Sequence, residues 1–245
     1  LLNSAEKLSE MLYQNLLGRT PSAGELAGWS AAAAKGASVR DIVMAFVDSS
    51  EYGERHADDE EFIAGIYEVL LGRTPDAGGL AYWESMLAKG LGREYVVQGI
   101  LSSQEYAARN AYSDLAAGES AGFALETRYP EEAGFVIRAY RNCLNRDPDP
   151  TGLSYWVRSL SDGSLQASDV IEGIMNSEEF RSRQLTDEEY IGVCYAACLN
   201  RMPDAAGYAG WLSALKAQAD RNTVLVGFTQ SAEFASFCEQ CGLQP

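Results

Sequence analysis

Long apolar runs are missing from this 245-residue chain. No stretch approaches the eighteen or so apolar residues of a membrane-crossing helix, so insertion into a bilayer is not expected. Histidine is reduced to one, His56, in "ERHADDEE", where it reads as a solvated surface residue. A Ser-His-Asp triad or a multi-histidine metal centre needs far more material than that. Cationic side chains are scarce: 19 Lys and Arg stand against 35 Asp and Glu, a formal net charge of −16. So acidic a surface repels phosphate backbones and anionic lipid, which removes nucleic acid and membranes from the expected partners. It suits a secreted or cell-surface protein, or one that meets a basic partner. Glycine-rich phosphate loops are missing, and no acidic pair stands apart from helix starts and repeat positions. The sequence therefore predicts no enzyme, no cofactor and no resident metal. A cationic start before an apolar stretch is also missing, and the opening "LLNSAEKLSE" reads as a piece of a longer protein whose address signal lies elsewhere.

What is present is repetition. The chain is 47% hydrophobic and 10% aromatic, enough for a core. It writes nearly the same phrase four times: "LLGRTPSAGELAGW" (16–29), "LLGRTPDAGGLAYW" (70–83), "CLNRDPDPTGLSYW" (143–156) and "CLNRMPDAAGYAGW" (198–211). The Arg of R-x-P falls at Arg19, Arg73, Arg146 and Arg201, with spacings of 54, 73 and 55. A Tyr precedes it by six residues each time (Tyr13, Tyr67, Tyr140, Tyr195), and a Trp follows by ten (Trp29, Trp83, Trp156, Trp211). Twenty or twenty-one residues after the Trp comes S-x-E-[YF], at Ser49–Tyr52, Ser103–Tyr106, Ser177–Phe180 and Ser231–Phe234. So many fixed offsets mark a repeat.

Each copy parses into helices. The first has apolar residues at helical spacing, as in Phe62, Ile63, Ile66, Tyr67, Leu70 and Leu71, after an acidic start that suits the N-terminal dipole. It ends at Gly18, Gly72, Asn145 or Asn200, the two residue types that tolerate a left-handed backbone. Proline then blocks continuation, and Ser22, Asp76, Asp149 or Asp204 caps a second helix carrying the Trp. Ser22 with Glu25 matches a capping box. A third helix follows in stretches such as 39–49 and 168–177, and the Ser of S-x-E caps a short last turn. Alternating β-branched sequence is rare. The expected fold is all-α: four tandem helical repeats of about fifty residues, packed as two pairs because one such unit buries little alone. The extra residues fall in a Gly-, Ala- and Ser-rich stretch, which sets the expected division at 1–110, a connecting segment 111–130, and 131–245.

Taken together, L-[GN]-R-x-P-D-x-x-G-L-x-Y-W followed by G-[IF]-x-x-S-x-E-[YF] resembles the domain-of-unknown-function family 4214. That family is itself similar to the repeated helical region of phycobilisome linker proteins. The resemblance covers all four copies. It implies a non-catalytic binding or scaffolding module of bacterial secreted, surface-layer or adhesion proteins, and no catalytic residue. Copy one departs from the pattern with Ser22, Glu25 and Gly28, and copy four with Gly210, so a site built from the motif should be fullest in copies two and three.

Two readings compete for the recurring polar residues. Arg73 with Glu105 and Arg146 with Glu179 can staple the turn after the first helix to the end of the third, as an Arg fork suits a carboxylate. Alternatively Arg73, Asp76, Tyr82 and Trp83, with Arg146, Asp149, Tyr155 and Trp156, form lectin-like contacts: Arg and Asp on hydroxyls, a ring on an apolar sugar face. Neighbours on a helix do not face the same way, so Tyr82 and Tyr155 are expected outside and the Trp residues inside. The turn "NRDPDPTG" offers Asp147 and Asp149 to calcium but lacks the EF-hand spacing. Cys143 and Cys198 match in position and read as core residues. Cys194, Cys198, Cys238 and Cys241 leave three states open: a disulfide from tail to helix, a four-thiolate metal site, or free thiols. The expected function is a glycan-binding module of a surface or secreted protein; the alternative is a scaffold docking other surface proteins.

Overall fold

In the computed structural model, which describes residues 2–55 and 57–245, the caps and breakers of the sequence become helix ends. Copy one contains α1 (Ser4–Asn15), α2 (Ala23–Ala34), α3 (Val39–Val47) and α4 (Ser50–Glu54). Copy two contains α5 (Asp59–Leu71), α6 (Ala77–Ala88), α7 (Arg93–Leu101) and α8 (Gln104–Arg109). After α9 (Phe123–Arg128), copy three contains α10 (Pro130–Leu144), α11 (Pro150–Ser161), α12 (Ala167–Met175) and α13 (Glu178–Ser182). Copy four contains α14 (Asp187–Leu199), α15 (Ala205–Lys216), α16 (Arg221–Thr229) and α17 (Ala232–Gln240). No strand occurs among the described residues, and the fold is all-α. His56 lies outside the described residues.

The local chemistry explains these boundaries. Ser22 and Glu25 form both arms of a capping box at the start of α2. Asp149 and Asp204 cap α11 and α15 by accepting from the backbone N–H of Gly152 and Gly207. Ser49, Ser103, Ser177 and Ser231 each accept from the N–H three residues on, and so begin the fourth helix of every copy. Gly72, Asn145 and Asn200 close the first helices at φ of 68°, 55° and 50°. Copy one differs: α1 stops at Asn15, Leu16 closes it in right-handed geometry, and Gly18 makes the left-handed reversal two residues later.

The chain divides into two compact units. The first holds the residues up to Ala88 together with Gly92–Phe123; the second holds Lys89–Leu91 together with Ala124–Pro245. The longest stretches of the two units meet between Phe123 and Ala124, and Lys89–Leu91 is grouped apart from the helices on either side of it. In the first unit α1 packs on α5 and α3 on α7; in the second α10 packs on α14 and α12 on α16. Like helices of two copies thus bury one another's apolar faces. Leu8, Leu12, Ile42, Phe62, Ile63, Ile66 and Val96 make the centre of the first core. Burying each such side chain is worth about 1.5–3 kcal/mol, which a single short repeat could not accumulate.

Each unit is closed by the chain that follows its second copy. In the first, the N–H groups of Val39 and Arg40 at the start of α3 donate to the carbonyls of Ala116 and Ala117, at 2.8 and 2.9 Å. Buried Tyr112 anchors the same segment by donating to the Val69 carbonyl at 2.9 Å. In the second unit the matching N–H, that of Ala167 at the start of α12, donates to Gln244 at 3.0 Å. Helix-start donors that have no partner within the helix are satisfied this way.

All five cysteines are free thiols, four buried and Cys241 half-buried, and no staple joins the tail to α14. Cys143 and Cys198 are core residues as their positions suggest. Among the described residues no group of three or more His, Cys, Asp or Glu is arranged to hold a metal ion.

Candidate functional site

The repeated polar residues assemble around one tyrosine per copy. In copy two the Arg73 guanidinium lies over the Tyr67 ring, 5.2 Å from its centroid, and grips Glu105 of α8 with two hydrogen bonds of 2.5 and 2.8 Å. Copies one, three and four repeat the arrangement: Arg19 over Tyr13 on Glu51, Arg146 over Tyr140 on Glu179, and Arg201 over Tyr195 on Glu233. The Glu partner sits on the fourth, short helix rather than at the end of the third. The Arg fork therefore ties the turn after the first helix to the last helix of its copy. Hydrogen bonds from Arg73 and Arg146 hold the carboxyls of Glu105 and Glu179 below their ordinary range.

Asp76 faces the same turn. Its side chain accepts from the Gly79 N–H at 2.9 Å, and that bond, with Arg73 nearby, lowers its carboxyl; Asp149 is lowered chiefly by the Gly152 N–H. These carboxylates are acceptors already engaged inside the copy. Glu25 does two jobs at once in copy one. It completes the capping box and also takes Arg19 at 2.7 Å, an ion pair that Asp76 and Asp204 make with Arg73 and Arg201 in copies two and four. Bonds from Arg19 first, then from Ser22, lower its carboxyl to about 2.

Trp83 and Trp156 are half-buried, and each donates its indole N–H to the tyrosine of its own copy: Tyr67 at 3.0 Å and Tyr140 at 3.2 Å. In copies one and four the indoles of Trp29 and Trp211 instead stack on Phe46 and Phe228, at 5.0 and 5.1 Å. Tyr82 and Tyr155 point outward, 47% and 57% exposed. Each rests edge-on against its neighbouring indole, at 4.8 and 4.9 Å between centroids. Partial burial and a bond with Tyr95 push the Tyr82 hydroxyl up to about 12. The eight residues predicted from sequence thus divide in two. Arg73, Asp76, Trp83, Arg146, Asp149 and Trp156 are drawn into the frame of their copies, whereas Tyr82 and Tyr155 stand at the surface.

Two further sets of arginines act in the frame and escaped the motif. Arg109 and Arg183, three residues after the aromatic of S-x-E-[YF], donate to the carbonyls of Val69 and Cys143 near the end of the first helix. Arg93 and Arg221 open the third helices of copies two and four and donate to the carbonyls of Ala57 and Leu185, both at 2.8 Å. Their signal was a matching offset of twenty residues from Arg73 and Arg201.

No curated protein matches this chain. The family described as Domain of unknown function (DUF4214) matches it over residues 3–56, 50–110, 117–184 and 171–238. Those four segments coincide with the four helical copies, and the chain belongs to the DUF4214 family.

Proposed function

We propose that this chain is a non-catalytic carbohydrate-binding module of a secreted or cell-surface protein, with Tyr82 and Tyr155 as its stacking faces. The observation that carries the reading is the exposure of these two rings at the same motif position, one in each unit. An exposed ring held at one edge by an indole offers an ordered apolar face with little rotamer entropy left to lose. Such a face suits the C–H surface of a pyranose. The engaged residues behind it (Arg73, Asp76 and Trp83 in one copy; Arg146, Asp149 and Trp156 in the other) fix the helix that presents it. Two faces on one chain favour a polymeric glycan over a free monosaccharide, because the second contact becomes intramolecular.

A glycan array probed with the full chain tests this, alongside Tyr82→Ala, Tyr155→Ala and the double variant. The reading expects binding to one class of polymer, weakened by each single change and weakened most in the double, with the far-ultraviolet circular dichroism unchanged. Polymer affinity that is unaltered in the double variant would overturn it.

A protein scaffold is the second reading, and the net charge of −16 favours it, since acidic helical faces suit a basic protein partner. An array without a hit, together with a co-purified protein released by salt, would move the assignment to that reading.

A further inference from the structure

Tyr52 is 3% exposed, yet among the described residues its hydroxyl has no hydrogen-bond partner. Buried polar groups are nearly always satisfied, and each exception calls for a reason. Packing does not supply one. Copies three and four carry Phe180 and Phe234 at the corresponding place, both buried, so the fold accepts a ring without the oxygen.

Tyr52 lines a cavity of about 460 Å³ in the first unit. That volume lies within the range of small-molecule pockets. Arg55 and Glu61 line the same cavity and lie within electrostatic reach of the Tyr52 hydroxyl. Asn15, Glu68 and Thr74 complete its polar wall. Among the described residues Arg55, Glu61 and Glu68 take part in no salt bridge. Leu16 and Ala64 supply an apolar side, and Gly65 brings α5 close to α1 there: a Cβ on it would stand 2.7 Å from Leu16.

We infer that this cavity binds one uncharged pyranose ring and that the Tyr52 hydroxyl is a recognition group within it. The wall mixes donors and acceptors, as hydroxyl groups, which both donate and accept, require. Two carboxylates against one guanidinium leave it net negative, which disfavours phosphate or a sugar acid. Its apolar side matches the C–H face of a ring. The inference shares a ligand class with the proposed function, on whose carbohydrate reading it rests, but uses none of the same residues.

The test is a ¹H–¹⁵N correlation titration of the full chain, run separately with methyl α-D-glucopyranoside, methyl β-D-galactopyranoside and N-acetyl-D-glucosamine. The expected result is saturable perturbation of the amides of Asn15, Ala64, Gly65 and Glu68 by at least one of them. Tyr52→Phe should weaken that binding about tenfold or more while raising the thermal midpoint of the free protein, since the orphan oxygen is gone. Tyr82→Ala with Tyr155→Ala should leave the cavity signals unchanged. Three sugars without saturable perturbation at these amides would overturn the inference, as would unaltered affinity in Tyr52→Phe. Perturbation confined to the surroundings of Tyr82 and Tyr155 would also overturn it, while leaving the surface platform standing.

Discussion

The Trp83 indole donates to the Tyr67 hydroxyl at 3.0 Å, and the Tyr67 ring lies beneath Arg73. One tyrosine on the first helix therefore meets the second helix through its oxygen and the following turn through its ring. Arg73 carries the connection to the fourth helix through Glu105. Tyr140, Trp156, Arg146 and Glu179 repeat the same circuit in the other unit. That circuit accounts for the intervals of Tyr, Arg, Trp and Glu in copies two and three; in copies one and four the Trp is held by stacking on Phe46 and Phe228.

The third residue of the second helix is glycine in copies two to four because the tyrosine oxygen occupies the space beside it. A Cβ on Gly79 would lie 2.7 Å from the Tyr67 hydroxyl oxygen, and one on Gly152 would lie 2.8 Å from that of Tyr140. Gly79→Ala should destabilise the first unit by up to about 2 kcal/mol, the cost of overpacking less the roughly 1 kcal/mol by which a helix favours alanine. Removing the oxygen in Gly79→Ala/Tyr67→Phe should recover part of that loss. Urea denaturation followed by circular dichroism measures both, and a Gly79→Ala variant as stable as the parent would refute the steric reading.

The Arg–Glu pairs give the protein a signed response to acid. In the folded chain Arg73 and Arg146 lower the carboxyls of Glu105 and Glu179, so their contribution is complete above the ordinary glutamate range near pH 4.5. It is lost as pH falls below that range. Both pairs are half-exposed, so solvent and salt screen them and the effect per pair is small. Protonation also relieves repulsion within a chain of net charge −16, which acts in the opposite direction. Comparing the parent with Glu105→Gln/Glu179→Gln cancels that shared term. The gap between their thermal midpoints should be widest at neutral pH and should close towards pH 2.

Much of this circuit was legible as pattern. Caps, breakers and the all-α repeat follow from local chemistry, and local chemistry is what a sequence carries most directly. The outward face of Tyr82 and Tyr155 followed from helical geometry alone. The functional reading of Arg73 and Asp76 was harder, because an Arg and an Asp near a Trp look alike whether they await a ligand or hold a turn. Only the positions of Glu105 and the Gly79 N–H separate the two cases, and those depend on how the helices pack. Arg109 and Arg183 were missed because their targets are backbone carbonyls, which leave no partner residue in the sequence. The Tyr52 cavity likewise has no motif, since its wall comes from α1, α5 and the turns beside them.

The thiols make a prediction about chemical access. Burial pushes Cys143, Cys194 and Cys238 up to about 12 and Cys198 well above its ordinary value, which keeps all four protonated and unreactive. Cys241 is half-buried and receives a hydrogen bond from Arg138 at 3.3 Å. Titration with a chromogenic disulfide should therefore modify one thiol quickly in the native protein and all five after denaturation. Cys241→Ser should abolish the fast phase. A denatured count of three would reveal one disulfide and contradict the free-thiol arrangement.

The glycine of the third helix offers the sharpest test of the tryptophan's role, because two opposing terms decide the sign. Gly99, Gly173 and Gly227 lie against the indoles of Trp83, Trp156 and Trp211; a Cβ on Gly173 or Gly227 would come 2.6 Å from the ring, and one on Gly99 would overlap it. Within a helix, alanine is favoured over glycine by about 1 kcal/mol. Overpacking against a ring costs about 1–3 kcal/mol. Gly99→Ala should therefore be neutral to destabilising in the parent chain, by up to about 2 kcal/mol. In a Trp83→Leu background the ring is gone, only the helix term remains, and the same substitution should stabilise. Denaturant midpoints of the four proteins in this cycle report the reversal. If Gly99→Ala has the same effect in both backgrounds, the indole does not dictate that glycine.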